Sequence, residues 1–287
     1  MRCDLHVHTI HSGMCTIPLL NKVCRECYND PREVYETLKQ RGMDLVTVTD
    51  HDSIDAAECL RQHPDFFLSE EVSCRTSSGT HLHVGVYDIQ ERDHVEMQRR
   101  RDDFPSLIAY LRERRLLFSV NHVFSGLTGA RTAGDFDEFA GAFPAVETLN
   151  GHMLSAANRY AQAWASSTRK IAVGGSDSHT MSHVGRTWTE VPGAGTRQDF
   201  LSGLKRGRTA VGGESGDYGK LTGTVFEIGR SLMREHPWAL ALAPLATLIP
   251  AVTLGNLLWE TWFAHKWGRL QTNVLTGGGL LTRLDEA

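Results

Sequence analysis

The chain has 287 residues, 41% hydrophobic and 22% charged, with 27 glycines and 9 prolines, a balance that excludes disordered, collagen-like and coiled-coil material. Thirty Lys and Arg against 34 Asp and Glu leave a net charge of -4, without the overall basicity of a chain that lives on nucleic acid. All six cysteines, Cys3, Cys15, Cys24, Cys27, Cys59 and Cys74, fall between residues 3 and 74, too clustered to staple a domain of this size, and are expected as reduced thiols. The opening MRCDLHVHTIHSG lacks an apolar run of signal-peptide length, so a cytoplasmic protein is expected.

From Met1 to Ile228, short β-branched or apolar runs alternate with longer amphipathic stretches, the pattern of repeated β/α units. Strands are predicted at 2–8, 44–50, 66–72, 81–87, 117–123, 145–150 and 170–177. Between the first two, Asp30 caps a helix with Pro31 at its first position and Gly42 closes it. Further helices are expected at 92–115, interrupted at Pro105, and at 155–168 and 197–206. Seven strands with intervening helices fit an α/β fold, a closed seven-stranded β/α barrel better than an open sheet.

The character changes after Ile228, giving an expected division into a 1–228 domain and a 229–287 apolar segment and tail. Residues 237–259 carry no charge and are long enough to cross a bilayer core of roughly 30 Å as a helix. Trp238, Trp259, Trp262 and Trp267 gather near its ends, as an aromatic belt does. Pro244, Pro250, Gly255 and Asn256 equally suit a broken apolar hairpin packed on the barrel, and both readings stand. Basic residues flank both sides, Arg230 and Arg234 before, Lys266 and Arg269 after, so they assign no orientation. The tail from Gly268, with Gly277–Gly279, reads as a loose terminus.

Histidines and acids accumulate at the C-terminal ends of the predicted strands, the active-site face of a β/α barrel. His6 and His8, two apart on a strand, point the same way and can reach one ion. Adding His51, Glu71, His83, His122, Asp177 and His179 gives eight convergent groups. Imidazole mixed with carboxylate, without a thiolate set, suits Zn, Mn or Fe, and the surplus of ligands suits two or three ions.

The stretches DLHVHTIHS, VTVTDHDS, SEEVS, HLHVGVY, NHV and GSDSH resemble, in order and spacing, the motifs of the PHP (polymerase and histidinol phosphatase) family over about residues 1–215. The resemblance implies a distorted seven-stranded barrel with a di- or trinuclear metal site that hydrolyses phosphate esters. It places the ligands on His6, His8, His51, Glu71, His83, His122, Asp177 and His179. Glu71 is expected as the bridge, with His6, His8 and Asp177 on one ion and His83 and His122 on its partner. His51 and His179 then complete a third site or donate protons, which with Glu71 makes them the expected catalytic groups. The chain departs from the pattern after Ser12, where Gly13-Met14-Cys15 stands in place of an acidic ligand. His11 or Cys15 is a candidate substitute, and Cys24-Arg25-Glu26-Cys27 has zinc-knuckle spacing but no second pair.

The expected activity is hydrolysis of phosphate monoesters of small metabolites or nucleotides through a metal-bridging hydroxide. Arg131 and Arg186 are the candidate phosphate contacts, and Asp4 and Asp50 the candidates for orienting imidazoles from behind. Arg99, Arg100, Arg101, Arg112, Arg114 and Arg115 could follow a phosphate backbone, making a short-oligonucleotide exonuclease an alternative, but Asp102, Asp103 and Glu113 interrupt them. A non-catalytic, metal-stabilised module tethered to a membrane by 237–259 is the other alternative. The oligomeric state is not specified.

Overall fold

The computed structural model describes residues 1–16 and 20–281 of the chain, with side chains as far as Gln271. In chain order, β1 (Arg2–Cys3) leads to α1 (Pro31–Gln40) and α2 (Ala57–Leu60), then β2 (Ser69–Arg75) and β3 (His81–Tyr87). Next come α3 (Glu91–Arg100), α4 (Phe104–Glu113), β4 (Leu117–Val120), α5 (Ala133–Ala142), β5 (Ala145–Asn150), α6 (Ser155–Ser167) and β6 (Ile171–Gly175). The chain finishes with β7 (Thr187–Glu190), α7 (Arg197–Lys205), β8 (Ala210–Gly213), α8 (Tyr218–Glu235), a 3-10 stretch (Pro237–Leu248) and α9 (Ile249–Leu281).

The fold is α/β, but the strands do not form the expected closed ring of seven. Among the described residues the ladders make a five-stranded sheet, β2-β3-β4-β5-β6, and a three-stranded sheet, β1-β7-β8. The larger sheet is mixed: β2/β3 and β3/β4 run antiparallel, β4/β5 and β5/β6 parallel. Most of the expected first strand and all of the second are replaced by extended segments with single bridges, Val7 to Ser178, Val46 to Phe66 and His51 to Glu71. Polar side chains take over bonds a ladder would make. Thr49 Oγ1 accepts from Val7 N at 3.1 Å, and Asp4 accepts from the backbone of His6, Ser176 and Gly185 at 2.8 to 3.2 Å. These bonds seat residues 4–8 beside 44–50 and the end of β6.

The helices form where capping chemistry is strongest. Asp30 accepts from the backbone of Arg32 and Glu33 to start α1. The helix expected over 92–115 is two: α3 stops at Arg100 and Asp103 caps α4, with Pro105 in its first turn. The principal core lies between the mixed sheet and α3–α6, joining Val84, Phe118, Phe136, Phe139 and Trp164 to Phe263, Ala264 and Trp267 of α9.

The boundary expected at Ile228 falls inside α8, which runs on to Glu235 before Pro237 interrupts it. Of the expected hairpin breakers, Pro250 lies in the first turn of α9, and Gly255 and Asn256 continue the helix. The tail expected to be loose from Gly268 is helical to Leu281, and residues 282–287 lie outside the described ones. By length and composition Pro237–Gln271 could cross a membrane, yet a core helix of a soluble protein passes the same test.

Candidate metal centre

Strand parity selects the inward residues. Glu71 and His83 occupy β2 and β3 positions that share one sheet face, Glu71 opposite Gly85 and His83 opposite Ser73. Glu70 therefore faces the other way, where its carboxylate receives His94 Nδ1 at 2.8 Å and Gln98 Nε2 at 2.6 Å from α3. The remaining groups come from strand ends and the loops that follow. His122 and Asp177 turn inward on left-handed backbone, φ 29° and 50°, a strained geometry for residues with a Cβ.

Glu71 sits at the middle, buried. Its Oε2 lies 3.0 Å from His6 Nε2 and 3.4 Å from both His8 Nε2 and His51 Nδ1, and its Oε1 lies 3.3 Å from His122 Nε2 and 3.6 Å from His83 Nδ1. Asp177 Oδ1 approaches His6 Nε2 at 3.4 Å and His8 Nε2 at 3.3 Å. Four overlapping ligand groups result: His6/His8/Asp177, His6/Glu71/His122, His51/Glu71/His83 and His8/His51/His179. All eight residues singled out from the sequence are thus brought together.

The donor set fits cations. His6 Nδ1 is 2.7 Å from a Glu147 oxygen, so in the neutral ring that a bound cation selects, Nδ1 carries the proton and Nε2 turns a lone pair inward. Only 3.0 Å separates it from His8 Nε2 and from Glu71 Oε2, an acceptor-rich cluster that a positive ion satisfies. His51 Nδ1, His83 Nδ1, His122 Nδ1 and His179 Nε2 are buried without a hydrogen-bond partner. Burial opposes ionisation of Glu71, but His6, His51 and His83 hold its carboxyl well below the usual range. For His6, burial is outweighed by Asp177, Glu71 and Glu147, which push it well above the ordinary imidazole value.

Three residues that the sequence reading did not single out complete the arrangement. Glu147 fixes His6 and also accepts from His122 N and Asn150 Nδ2, both at 2.9 Å. Asn121 donates to Glu71 Oε1 at 2.8 Å and is itself oriented by Ser119 at 2.7 Å. Glu26 places a carboxylate oxygen 3.6 Å from His179 Nε2 and 3.7 Å from His51 Nε2, an acid brought to the centre from a loop later than the gap after Ser12. Although burial would raise it, His179 and His51 bring the Glu26 pKa down to about 2. Neither His11 nor Cys15 belongs to a ligand group among the described residues. Cys24 and Cys27 are free thiols, Cys27 donating to His8 O at 3.3 Å.

Asp50 works through Ser12, whose hydroxyl donates to it at 2.7 Å and lies 2.9 Å from His8 Nδ1, whereas Asp4 ties backbone together. Asn150 joins Glu147 to Asp177 through two bonds of 2.9 Å. The arginines expected on phosphate are occupied elsewhere. Arg131 is buried, donates to His81 O at 2.9 Å and Thr128 Oγ1 at 2.6 Å, and burial brings its pKa down to about 10. Arg186 donates to Ser182 O at 2.9 Å and faces Glu214 at 3.5 Å. A cleft of about 750 Å³ beside His179 is lined instead by Arg230 and Arg234, with Tyr28, Phe226 and Ile249.

The PHP-associated family matches residues 155–209, the span from the start of α6 to the approach to β8. No curated protein matches the chain. Among solved structures, PsfC from Pseudomonas syringae PB-5123 is similar over 84% of this chain and 98% of its own, at 16% identity and a TM-score of 0.53, a likeness of fold. More distant are a protein assigned as a metal-dependent phosphoesterase from Bifidobacterium adolescentis and the lesion-specific endonuclease PfuEndoQ from Pyrococcus furiosus. The first has 12% identity over 64% of this chain and 88% of its own, with a TM-score of 0.44. The second has 17% identity over 74% of this chain and 58% of its own, with a TM-score of 0.47.

Proposed function

Because the chain belongs to the PHP family, we propose that its histidine-rich centre holds divalent ions and hydrolyses the phosphate monoesters of small metabolites or nucleotides. The observation that carries this reading is the buried Glu71 carboxylate ringed by five imidazoles, with ring nitrogens left unpartnered. His6, His8 and Asp177 would hold one ion, His83 and His122 a second, with Glu71 shared. His51, His179 and Glu26 would serve a third. Mn, Fe or Zn suits this imidazole and carboxylate set. Such ions, when bound, supply acidified water and the positive charge that a phosphate ester requires.

The protein's own groups do the positioning. Glu147 holds the His6 tautomer, Asn121 fixes one Glu71 oxygen, and the Asp50–Ser12 pair fixes His8. The cleft beside His179 has the volume of a small-molecule site, and Arg230 and Arg234 on its wall suit an anionic substrate. His179 lies at the junction of cleft and centre; where it is not a ligand of the third ion, it would serve instead as proton donor to the leaving group. The monoester reading is favoured over the exonuclease because five of the six arginines of those runs have their guanidinium groups engaged. Arg99 and Arg100 pair with Glu96, Arg101 with Asp52 and Arg114 with Asp93, while Arg112 donates to Gly141 O and Ala142 O.

Metal content per chain, measured with phosphate release from monoesters, nucleotides and short oligonucleotides, tests the proposal. Two or more ions are expected, with turnover of monoesters that falls to background in Glu71→Ala. One ion or none, or release unchanged by the substitution, would overturn it.

A further inference from the structure

Residues 237–271 divide into two faces. Thr253, Glu260, Phe263, Ala264, Trp267 and Gln271, spaced as one helical stripe, are buried. Glu260 accepts from Gly126 N at 3.1 and 3.2 Å through its two oxygens, so α9 is fastened to the loop following His122. On the outer face Val252 is 67% exposed, Leu258 62% and Trp262 50%, joined by Leu254 and Trp259 and, from the 3-10 stretch, by Trp238 and Leu245. Large apolar areas of this kind are rare on a soluble monomer and mark an interaction surface.

We propose that this arm is an interfacial lipid-binding surface, lying along a membrane with its outer face at the boundary between headgroups and acyl chains. Two observations favour lipid. The first is charge: across 237–271 the charged residues are Glu260, Lys266 and Arg269, and Glu260 is turned inward. The exposed charge of the arm is therefore wholly cationic, complementary to anionic headgroups. The second is its placing: Lys266 Nζ lies 4.9 Å from the ring centroid of the exposed Trp262, a cation beside an outward tryptophan of the kind that sits at headgroup level. A second copy meeting this face arm to arm about a two-fold axis would set Lys266 and Arg269 against residues 237–271, whose one acid, Glu260, is turned inward. A transbilayer course is incompatible with the inner face, whose Glu260 and core aromatics stay on the α/β body.

The test is flotation of the full chain with phosphatidylcholine vesicles, with and without phosphatidylglycerol, followed by alkaline carbonate extraction. The chain is expected to float, to bind about tenfold tighter or more when the anionic lipid is present, and to be released by carbonate. The doubly substituted Leu254→Glu/Leu258→Glu chain should lose flotation with its melting temperature retained, and Lys266→Gln/Arg269→Gln should lose only the preference for anionic lipid. Absence of flotation, resistance to carbonate as a spanning helix shows, or dimerisation that Leu258→Glu abolishes without any vesicle binding would each overturn the proposal.

Discussion

Glu147 governs how His6 meets the rest of the centre, because a carboxylate on Nδ1 dictates which ring nitrogen keeps its lone pair. Replacing it by glutamine retains size and the capacity to accept one bond but removes the charge that favours the inward-facing tautomer. Glu147→Gln should weaken metal affinity by about 10–100-fold, as loss of a partner behind a ligand typically does, read by titration with a competing chelator. Fold and melting temperature in the metal-free state should change little by comparison. Glu147 shows where residue-level reading of the sequence stops. His6 with His8, and Asp177 with His179, stand out by spacing at strand ends, whereas Glu147 lies within AVETLN and gains meaning only when β5 is set beside residues 4–8. The one available signal was an acid in the middle of a predicted strand. Glu26 is a different case: it reaches His51 and His179 from the Cys24-Arg25-Glu26-Cys27 loop, and nothing in its spacing from Ser12 marks it as a neighbour of the centre.

At the scale of elements, the centre depends on backbone segments that pack too closely for side chains. A Cβ on Gly175 would lie 2.3 Å from His6 N and 2.8 Å from His6 Cα, so β6 reaches residues 4–8 only because that position is glycine. Gly175→Ala must displace the segment bearing His6 and His8. A cost of about 1–3 kcal/mol is expected, seen as a lower melting temperature, together with loss of bound metal. Gly141→Ala in α5, where a Cβ meets nothing within 4 Å, is the control and should be neutral or stabilising by about 0.5–1 kcal/mol. If Gly175→Ala keeps both its stability and its metal, the close approach has no such role. The elements legible in the sequence were those with local signals: the Asp30 and Pro31 start of α1, the break before Pro105, and the β3 and β5 runs. The expectation of a closed barrel rests on residues 2–8 and 44–50, which have strand composition, yet Asp4 and Thr49 satisfy the backbone there. The strands β7 and β8, four residues each, carry too little pattern to announce themselves.

For the molecule as a whole, the question is whether the C-terminal arm is separable. The sequence boundary at Ile228 treats it as a tether, and its outer face is free to act as one. Its inner face belongs to the principal core: Phe263 and Trp267 join Phe124, Phe136 and Trp164, with the Phe136 and Trp267 rings stacked at 5.8 Å. Removing one buried aromatic side chain costs about 3–5 kcal/mol, and a domain has only about 5–15 kcal/mol in total. A chain ended after Ile228 forfeits Phe263 and Trp267 together and cuts α8 within its length, so it should fail to show a cooperative melt. The full-length Phe263→Ala variant provides the graded case: it should fold and bind metal, but melt at a clearly lower temperature. The two measurements separate the possibilities, since a tether would leave the truncated chain melting as the full chain does, whereas a core element makes truncation the more damaging of the two changes.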